Sequence, residues 1–319
     1  MKKISFVSPT YNEAQNVDEL YRRVTAIWEL YPQYEYEYVV IDNASTDGTI
    51  EKLKSIAKKD TRLKIIVNIR NFGHIRSPYW GLLQASGDAV VYLASDLQDP
   101  PELIPQFIKE WEKGFKVILA VKPVSEGNRV IHFLRKSYYR VLNKISDVEL
   151  INDTTGFGLY DRRVMDEVRQ IRDPYPYLRG LICELGFPIK QITFNQPRRL
   201  RGVSKNNFYS LFDIAMLGIV SHSLVPIRFA SFLGILIGGI SLFLGFLFLM
   251  AKLIWWDTFP IGIAPILISA LSLFGLLFIF IGILGEYIGS IQSYLQNRPI
   301  VVEQERINFE ISSETSRLK

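Results

Sequence analysis

The chain has 319 residues, of which 48% are hydrophobic, and its formal net charge is +5. This length allows two domains, and the single cysteine, Cys183, excludes an intramolecular disulfide and agrees with a reducing compartment. The apolar stretch after Met1 is too short for a signal peptide, so we expect residues 1–225 to stay in the cytoplasm. No sequence pattern indicates a nucleic-acid-binding module.

The N-terminal part of the chain alternates short apolar strands with amphipathic helices. The predicted strands are Ile4–Ser8, Tyr36–Ile41, Leu63–Asn68, Ala89–Ala94 and Val117–Val121. The predicted helices are Val17–Leu30, Gly48–Lys58, Ile75–Ala85, Pro101–Lys113 and Asn128–Ile145. This alternation predicts an α/β domain whose sheet is mostly parallel and is covered by helices on both faces.

Polar side chains follow three of these strands at the points where the strands end. The three groups are 9–13, 42–49 and 95–99. Ligands of open α/β sheets bind beyond the carboxyl ends of the strands, so we expect a nucleotide site at this edge. Asp96 and Asp99 suit a hard divalent cation, although Asp99 is equally typical of a cap or turn before the next helix. Ser45 and Asp47 are as typical of helix caps as of ligands, and His74 is more typical of a cap.

Two long uncharged runs dominate the C-terminal half. No charged residue interrupts the 23 residues Phe229–Ala251 or the 28 residues Thr258–Gly285, and a membrane-spanning helix needs roughly 20 residues. Basic residues flank the outer ends of this pair, which predicts that both termini face the cytoplasm. Residues 207–223 repeat apolar side chains at helical spacing. This spacing predicts a helix in the bilayer interface, with a core helix of the soluble domain as the alternative.

Taken together, the strand-end motifs resemble those of the family 2 glycosyltransferases. The similar segments are Pro9-Thr10-Tyr11-Asn12-Glu13, Asp42 with Ser45 and Asp47-Gly48-Thr49, Arg70-Asn71-Phe72-Gly73, and Asp96-Leu97-Gln98-Asp99-Pro100-Pro101-Glu102. Within the family, the chain looks closest to the polyprenyl-phosphate glycosyltransferases, the group that contains dolichyl-phosphate mannose synthase and the bactoprenol glucosyltransferases. The resemblance covers essentially the whole chain.

The resemblance implies a GT-A (Rossmann-like) fold, a nucleotide-diphosphate-sugar donor, and Mg²⁺ or Mn²⁺ as cofactor. The residues that it assigns to the nucleotide sugar are Pro9, Tyr11, Glu13, Asp42, Asp96 and Gln98. Asp96 is also the expected metal ligand. The family usually has a further carboxylate where this chain has Ala94. Asp96 would then be the main protein ligand, as suits Mg²⁺ held by one or two carboxylates and by phosphates.

A basic segment ahead of the apolar runs is similar to the family's phosphate-binding loop, Arg-x-x-Arg followed by Gly-x-Ser-Lys. The residues that it assigns to the lipid phosphate or diphosphate are Arg198, Arg201, Ser204 and Lys205. Arginine suits bidentate phosphate contacts, and a membrane-flanking basic patch without a ligand is the alternative. Asp153 matches the family's Asp before a Thr-Gly-Phe motif and is assigned the orienting or base role, with a turn residue as the alternative.

The expected function is the metal-assisted, inverting transfer of one sugar, glucose from UDP-glucose, to undecaprenyl phosphate, with Asp96 and Asp153 as catalytic residues. A phosphate monoester has a second pKa of roughly 6, so the acceptor needs little help from a general base. One alternative is a processive membrane polysaccharide synthase, but none of the five tryptophans follows an arginine as in the acceptor motif of those enzymes. The other is a non-catalytic, membrane-anchored nucleotide-sugar-binding protein, which Ala94 allows.

The predicted organisation has four parts. They are a cytoplasmic GT-A domain (1–205), an interfacial amphipathic helix (206–225), a two-helix transmembrane hairpin (226–290) and a cytoplasmic C-terminal tail (291–319). The expected partners are a nucleotide-diphosphate sugar and a polyprenyl phosphate lipid, with no nucleic acid, and a homo-oligomer is left open. The expected location is the inner (plasma) membrane, as a multi-pass protein of the cell envelope with both termini in the cytoplasm.

Overall fold

The computed structural model describes residues 1–122, 151, 154–171, 173, 176–195, 263–296 and 298–309, together with short pieces of 227–254. The helix predicted at Asn128–Ile145 and the interfacial helix predicted at 206–225 lie outside the described residues.

All five predicted strands and the first four predicted helices are present. The described strands are β1 (Lys3–Thr10), β2 (Glu35–Asp42), β3 (Leu63–Asn68), β4 (Ala89–Tyr92), β5 (Val117–Val121), β6 (Thr154–Asp161), β7 (Ile189–Thr193) and β8 (Glu303–Ile307). The helices are α1 (Val17–Leu30), α2 (Thr49–Ala57), α3 (Gly73–Gln84), α4 (Ile104–Glu112, after a 3₁₀ turn at Pro101–Leu103), α5 (Arg162–Gln170), α6 (Leu178–Glu184) and α7 (Ile263–Leu295).

The described strands form one eight-stranded sheet in the order β7-β5-β6-β4-β1-β2-β3-β8. Strands β4, β1, β2 and β3 are parallel neighbours, and β7 is parallel to β5. Strand β6 runs antiparallel between β4 and β5, and β8 runs antiparallel to β3. The mostly parallel sheet predicted from the sequence is therefore confirmed. The antiparallel strands β6, inside the sheet, and β8, at its edge, are additions that the sequence does not predict.

Both faces of the central strands are buried. Phe6 and Val91 pack with α1 and α4 on one face, and Val7 and Val90 pack with α3 and α5 on the other. Strands that are covered on both sides need mostly apolar residues at successive positions, which explains the apolar content of β1, β2 and β4. Ser5 and Glu37 are buried polar exceptions inside β1 and β2.

Strand β6 brings a second segment of chain to the carboxyl edge of β4. Its register pairs Tyr92 with Gly158, so the antiparallel direction carries Thr154 beyond the point where β4 ends. A Cβ added at Gly158 would lie 2.2 Å from the carbonyl oxygen of Ile118 on β5. Glycine is thus the residue that lets β6 fit beside β5 at this position.

The segment after α7 returns to the same sheet. Its strand β8 pairs with β3, the backbone N–H of Ile69 donates to the carbonyl of Val302 at 3.0 Å, and Asn308 Nδ2 donates to the carbonyls of Ala57 and Leu63 at 2.9 Å. The sequence predicts a tail at residues 291–319 and no strand there. Within this segment, Glu303–Ile307 forms an edge strand of the described sheet.

Helix α7 has 33 residues and exposes large apolar side chains, among them Phe274, Phe278 and Ile281. Within the described residues, no helix combines the length and the apolarity that crossing a membrane requires. The two predicted spans and the predicted location in the plasma membrane stay predictions.

Glu37 is a buried carboxylate in the middle of β2, only 1% exposed. It accepts hydrogen bonds from Lys64 Nζ at 2.6 Å, from the backbone N–H of Ser86 at 2.6 Å and from the Ser5 hydroxyl, and Lys3 Nζ lies 3.0 Å away. Burial opposes ionisation of Glu37, but the bonds from Lys64, Ser5 and Ser86 outweigh it and lower the pKa to about 2.

Replacing Glu37 by Gln is therefore expected to lower the free energy of unfolding by about 3 kcal/mol, because it leaves cations without their buried carboxylate. The ionised form contributes fully above the ordinary pKa of 4.5, and this contribution is lost as the pH falls towards 2. Urea unfolding at pH 7 and pH 3 measures the difference in the free energy of unfolding between Glu37→Gln and wild type. Glu35→Gln, at an exposed position of the same strand, is the control. An equal difference from wild type at both pH values would contradict the assignment.

Candidate active site

The loops after β1 and β2 are joined by hydrogen bonds. Asn12, in the left-handed conformation with φ 57°, donates its backbone N–H to Ser45 Oγ at 2.8 Å and accepts at Oδ1 from the N–H of Thr46 at 2.8 Å. Asp47 accepts from the N–H of Ala14 at 3.1 Å. Ser45 and Asp47, which the sequence left open between caps and ligands, thus fix the shape of the first loop.

Asp42 is the last residue of β2 and is fully buried. Its carboxylate accepts from the Ser45 N–H at 2.8 Å, from Ser45 Oγ at 2.5 Å and from Thr10 Oγ1 at 3.1 Å. Burial raises the pKa of Asp42 while these hydrogen bonds oppose that shift. Asp42 thus joins the end of β1, through Thr10, to the loop after β2, through Ser45.

Asn43 ties the loop after β3 to the same edge, and the sequence analysis missed it. Its Nδ2 donates to Asn71 Oδ1 at 2.8 Å, and its Oδ1 accepts from the Phe72 N–H at 2.8 Å and from Asn68 Nδ2 at 3.2 Å. The available signal was its place next to Asp42 in a strand-end cluster. The Arg70–Gly73 motif therefore joins the site through Asn43.

The loop after β4 turns back on itself through Asp99, which is 1% exposed. Its carboxylate accepts from the Ala94 N–H at 3.1 Å and from Thr155 Oγ1 at 3.3 Å, and burial raises its pKa to about 6. The following 3₁₀ turn has Pro100 as its N-cap and no side-chain cap bond. The alternative reading of Asp99 as a helix cap is therefore wrong.

Asp96 is half-buried at the tip of this loop. Its Oδ1 accepts from the backbone N–H of Gln98 at 3.2 Å, so the described contact of Gln98 at the site is made by its main chain. Leu97 between them takes a left-handed conformation with φ 60°. This tight turn fixes the position of Asp96 at the cavity.

A cavity of about 370 Å³ opens where these loops meet. The residues that line it are Pro9, Thr10, Tyr11, Glu13, Asn43, Asn71, Gly73, His74, Ser77, Pro78, Tyr92, Ala94, Ser95 and Asp96. Four residues assigned from the sequence, Pro9, Tyr11, Glu13 and Asp96, thus share one cavity. Asp42 and Gln98 do not line the cavity, and their hydrogen bonds fix the positions of Thr10 and Asp96, which do.

Five further assigned residues lie outside the described part of the chain. They are Asp153, Arg198, Arg201, Ser204 and Lys205. Their roles stay as the resemblance implies them.

His74 lines the cavity at the start of α3, where the sequence favoured a cap. Burial lowers the pKa of His74, and the positive charge of Arg179 lowers it further. The imidazole is therefore neutral near pH 7 and offers a hydrogen bond rather than a charge to a ligand.

The side chains that line the cavity decide whether it can bind a metal ion. Asp96 brings a carboxylate to the wall, whereas Ala94 brings a methyl group to the position where the family usually has a carboxylate. Among the described residues, no group of three His, Cys, Asp or Glu side chains is close enough together to hold an ion. These donors do not form an all-protein cage. They fit Mg²⁺ that is held by one carboxylate and completed by phosphate oxygens and water.

A mostly parallel sheet with a carboxylate-bearing cavity at its carboxyl edge is the architecture of a GT-A-type α/β enzyme. The sequence model described as "Glycosyl transferase family 2" matches residues 5–169. The chain belongs to this family and is a glycosyltransferase, as the sequence motifs predicted.

Curated relatives match nearly the whole chain. An uncharacterized glycosyltransferase of Bacillus subtilis is 33% identical over 96% of this chain and 94% of its own. The SfII prophage-derived bactoprenol glucosyl transferase of Shigella flexneri is 33% identical over 93% of this chain and 96% of its own. Among solved structures, glucosyl-3-phosphoglycerate synthase from Mycobacterium tuberculosis, in complex with Mn²⁺, UDP and phosphoglyceric acid, is 18% identical, with a TM-score of 0.48 over 69% of this chain and 76% of that one.

Proposed function

We propose that this glycosyltransferase transfers a single glucose from UDP-glucose to the phosphate of undecaprenyl phosphate at the cytoplasmic face of the membrane, with inversion. The observation that carries the acceptor assignment is the similarity to the Shigella bactoprenol glucosyl transferase over 93% of this chain, which includes the apolar C-terminal half.

The cavity supports a nucleotide-sugar donor. Tyr11 offers an aromatic face on which a base can stack. Asn43 fixes the loop after β3, through Asn71, at the same cavity. Asp96 places a carboxylate in the same wall, where it suits a divalent cation that also binds the donor diphosphate. When bound, that cation would neutralise charge on the leaving diphosphate.

The acceptor supplies its own nucleophile. A lipid phosphate is largely dianionic above its second pKa of roughly 6, so one of its oxygens can attack the anomeric carbon without a strong base. The bond to the UDP oxygen breaks as the new bond forms on the opposite face, and an α-linked donor gives a β-linked product. Asp153 orients the acceptor in this proposal, and Arg198, Arg201 and Lys205 attract its phosphate.

The membrane part of the proposal rests on two observations. The two uncharged runs of 23 and 28 residues are long enough to span a bilayer. In addition, β8 after the second run pairs with β3 of the N-terminal domain. Both ends of the apolar region must therefore lie on one side, which fits an even number of crossings.

The decisive experiment is a transfer assay with purified full-length protein in nanodiscs that contain undecaprenyl phosphate. Labelled UDP-glucose and other labelled nucleotide sugars are offered in turn, with Mg²⁺, with Mn²⁺, or with EDTA. We expect metal-dependent label in the organic extract from UDP-glucose. No extractable label from any donor would refute the proposed transfer to lipid. Label in a long water-soluble polymer would instead support a processive synthase.

Replacing Asp42 by Asn is expected to raise the KM for the donor about tenfold with a smaller effect on kcat. The amide can accept hydrogen bonds at only one of its two ends. Either the Ser45 N–H, which donates to Oδ1, or the Thr10 and Ser45 hydroxyls, which donate to Oδ2, lose their acceptor, and the first loop shifts. Initial rates at saturating lipid and varied donor measure this change, with Asp18→Asn on the exposed face of α1 as the control. An unchanged donor KM would contradict the positioning role.

A further inference from the structure

Arg179 lies on α6 and belongs to none of the sequence motifs described above. Its guanidinium donates to the carbonyl of Thr154 at 2.8 Å and lies 5.2 Å from the centre of the Tyr177 ring. The side chain is half-buried. These contacts hold the guanidinium at the beginning of β6.

The beginning of β6 is part of the active-site edge. Thr154 lies beyond the carboxyl end of β4, and the next residue, Thr155, donates its hydroxyl to Asp99 at 3.3 Å. Asp99 in turn fixes the loop that carries Asp96. Arg179 is thus anchored one residue away from the contact that shapes the Asp96 loop.

The hydrogen bond to Thr154 positions Arg179, and its positive charge acts on two residues that line the cavity. Burial and the charge of Arg179 both lower the pKa of His74. Burial raises the pKa of Tyr92, and the charge of Arg179 opposes this rise. His74 and Tyr92 both line the cavity, so the positive charge acts on two of its walls.

The chemistry of the reaction requires positive charge at this edge. Glu13 and Asp96 bring carboxylates to the cavity, and the donor diphosphate and the acceptor phosphate add further negative charge. A guanidinium binds phosphate oxygens in a bidentate manner and remains charged at every accessible pH. A cation held at the start of β6 would offset the repulsion between the two anionic substrates.

We propose that Arg179 is a substrate-binding residue whose guanidinium contacts a phosphate group at the β4–β6 end of the cavity. This inference rests on the proposed function for the identity of its ligands, which are the donor diphosphate or the acceptor phosphate. The hydrogen bond from Arg179 to the Thr154 carbonyl sets the position of the positive charge.

The test compares ligands that differ only by phosphate. Affinities of the full-length protein for UDP and uridine, and for citronellyl phosphate and citronellol, are measured by ligand-observed NMR titration. We expect Arg179→Gln to weaken binding about tenfold for the phosphate-bearing member of one pair and to leave its phosphate-free member unchanged. A loss confined to UDP assigns the donor diphosphate, and a loss confined to citronellyl phosphate assigns the acceptor. Either loss supports the proposal.

Two controls separate binding from structure. Arg163→Gln removes an exposed guanidinium on α5 that lies 5.8 Å from the centre of the Phe187 ring, and we expect it to change the affinity for neither pair. Arg179→Lys keeps the charge without the planar fork, so we expect a smaller loss. If Arg179→Gln does not fold, the same affinities are measured with Arg179→Lys instead. Unchanged phosphate affinities, or equal losses for both members of a pair, would overturn the proposal. Because binding is measured without turnover, a failure of the wild type to glucosylate lipid would count against the proposed function alone.

Discussion

Replacing Asp96 by Asn is expected to abolish sugar transfer while the protein stays folded. Asparagine keeps the shape of the side chain, and its Oδ1 can still accept from the Gln98 N–H that shapes the loop. The substitution removes the negative charge that Asp96 contributes to the cavity wall. Because Ala94 stands where the family usually has a further carboxylate, no neighbouring ligand at that position compensates. We expect kcat to fall by at least about 100-fold.

The measurement is the rate of lipid glucosylation across a Mg²⁺ and Mn²⁺ titration, together with the thermal unfolding midpoint. Asp88→Asn is the matched control, because Asp88 is an exposed aspartate at the opposite end of β4. It removes one negative charge just before β4, away from the residues that line the cavity. Near-normal transfer by Asp96→Asn at ordinary metal concentrations would remove Asp96 from the metal site.

The parallel core of the fold was predictable because its signals are local. The apolar runs at β1, β2 and β4 are long, and each ends in polar residues that mark the ligand edge. Pro9, Tyr11, Glu13 and Asp96 belong to strand-end groups recognised in this way, the family resemblance assigned them to the nucleotide sugar, and they do share one cavity. A strand buried on both faces and its carboxyl end can both be recognised from a few consecutive residues.

The parts that were missed depend on contacts between distant segments. In the sequence, Asp99 is equally typical of a metal ligand and of a cap or turn, and only its burial against Thr155, 56 positions away, shows its actual partner. Strand β8 is charged and short, and it is a strand because β3 offers an open edge. Arg179 belongs to the site through β6, which the sequence did not identify as a strand.

Strand β8 provides the second large expected effect, on stability and donor binding together. A chain that ends at residue 297 lacks the bonds that this segment makes to the outer side of α3. Trp80 Nε1 donates to Glu303 and Arg76 to the carbonyl of Pro299. The same helix begins with Gly73 and lines the cavity in its first turn. Loss of these bonds, at about 1 kcal/mol each, weakens the support of α3 and exposes the β3 edge.

We expect this truncation to lower the thermal unfolding midpoint by about 10 °C or more and to weaken UDP binding in the protein that remains folded. Deleting residues 310–319 is the matched control, because it shortens the terminus and leaves β8 in place. Glu303→Gln is a milder variant that keeps the strand but weakens its bond to Trp80, so its UDP affinity should fall by less. If the truncated chain bound UDP as tightly as the control, α3 would not depend on β8, and the strand would serve only to close the sheet. The expected loss instead makes the segment after the apolar runs part of the donor site, because the helix that lines the cavity is fixed by residues more than 200 positions further along the chain.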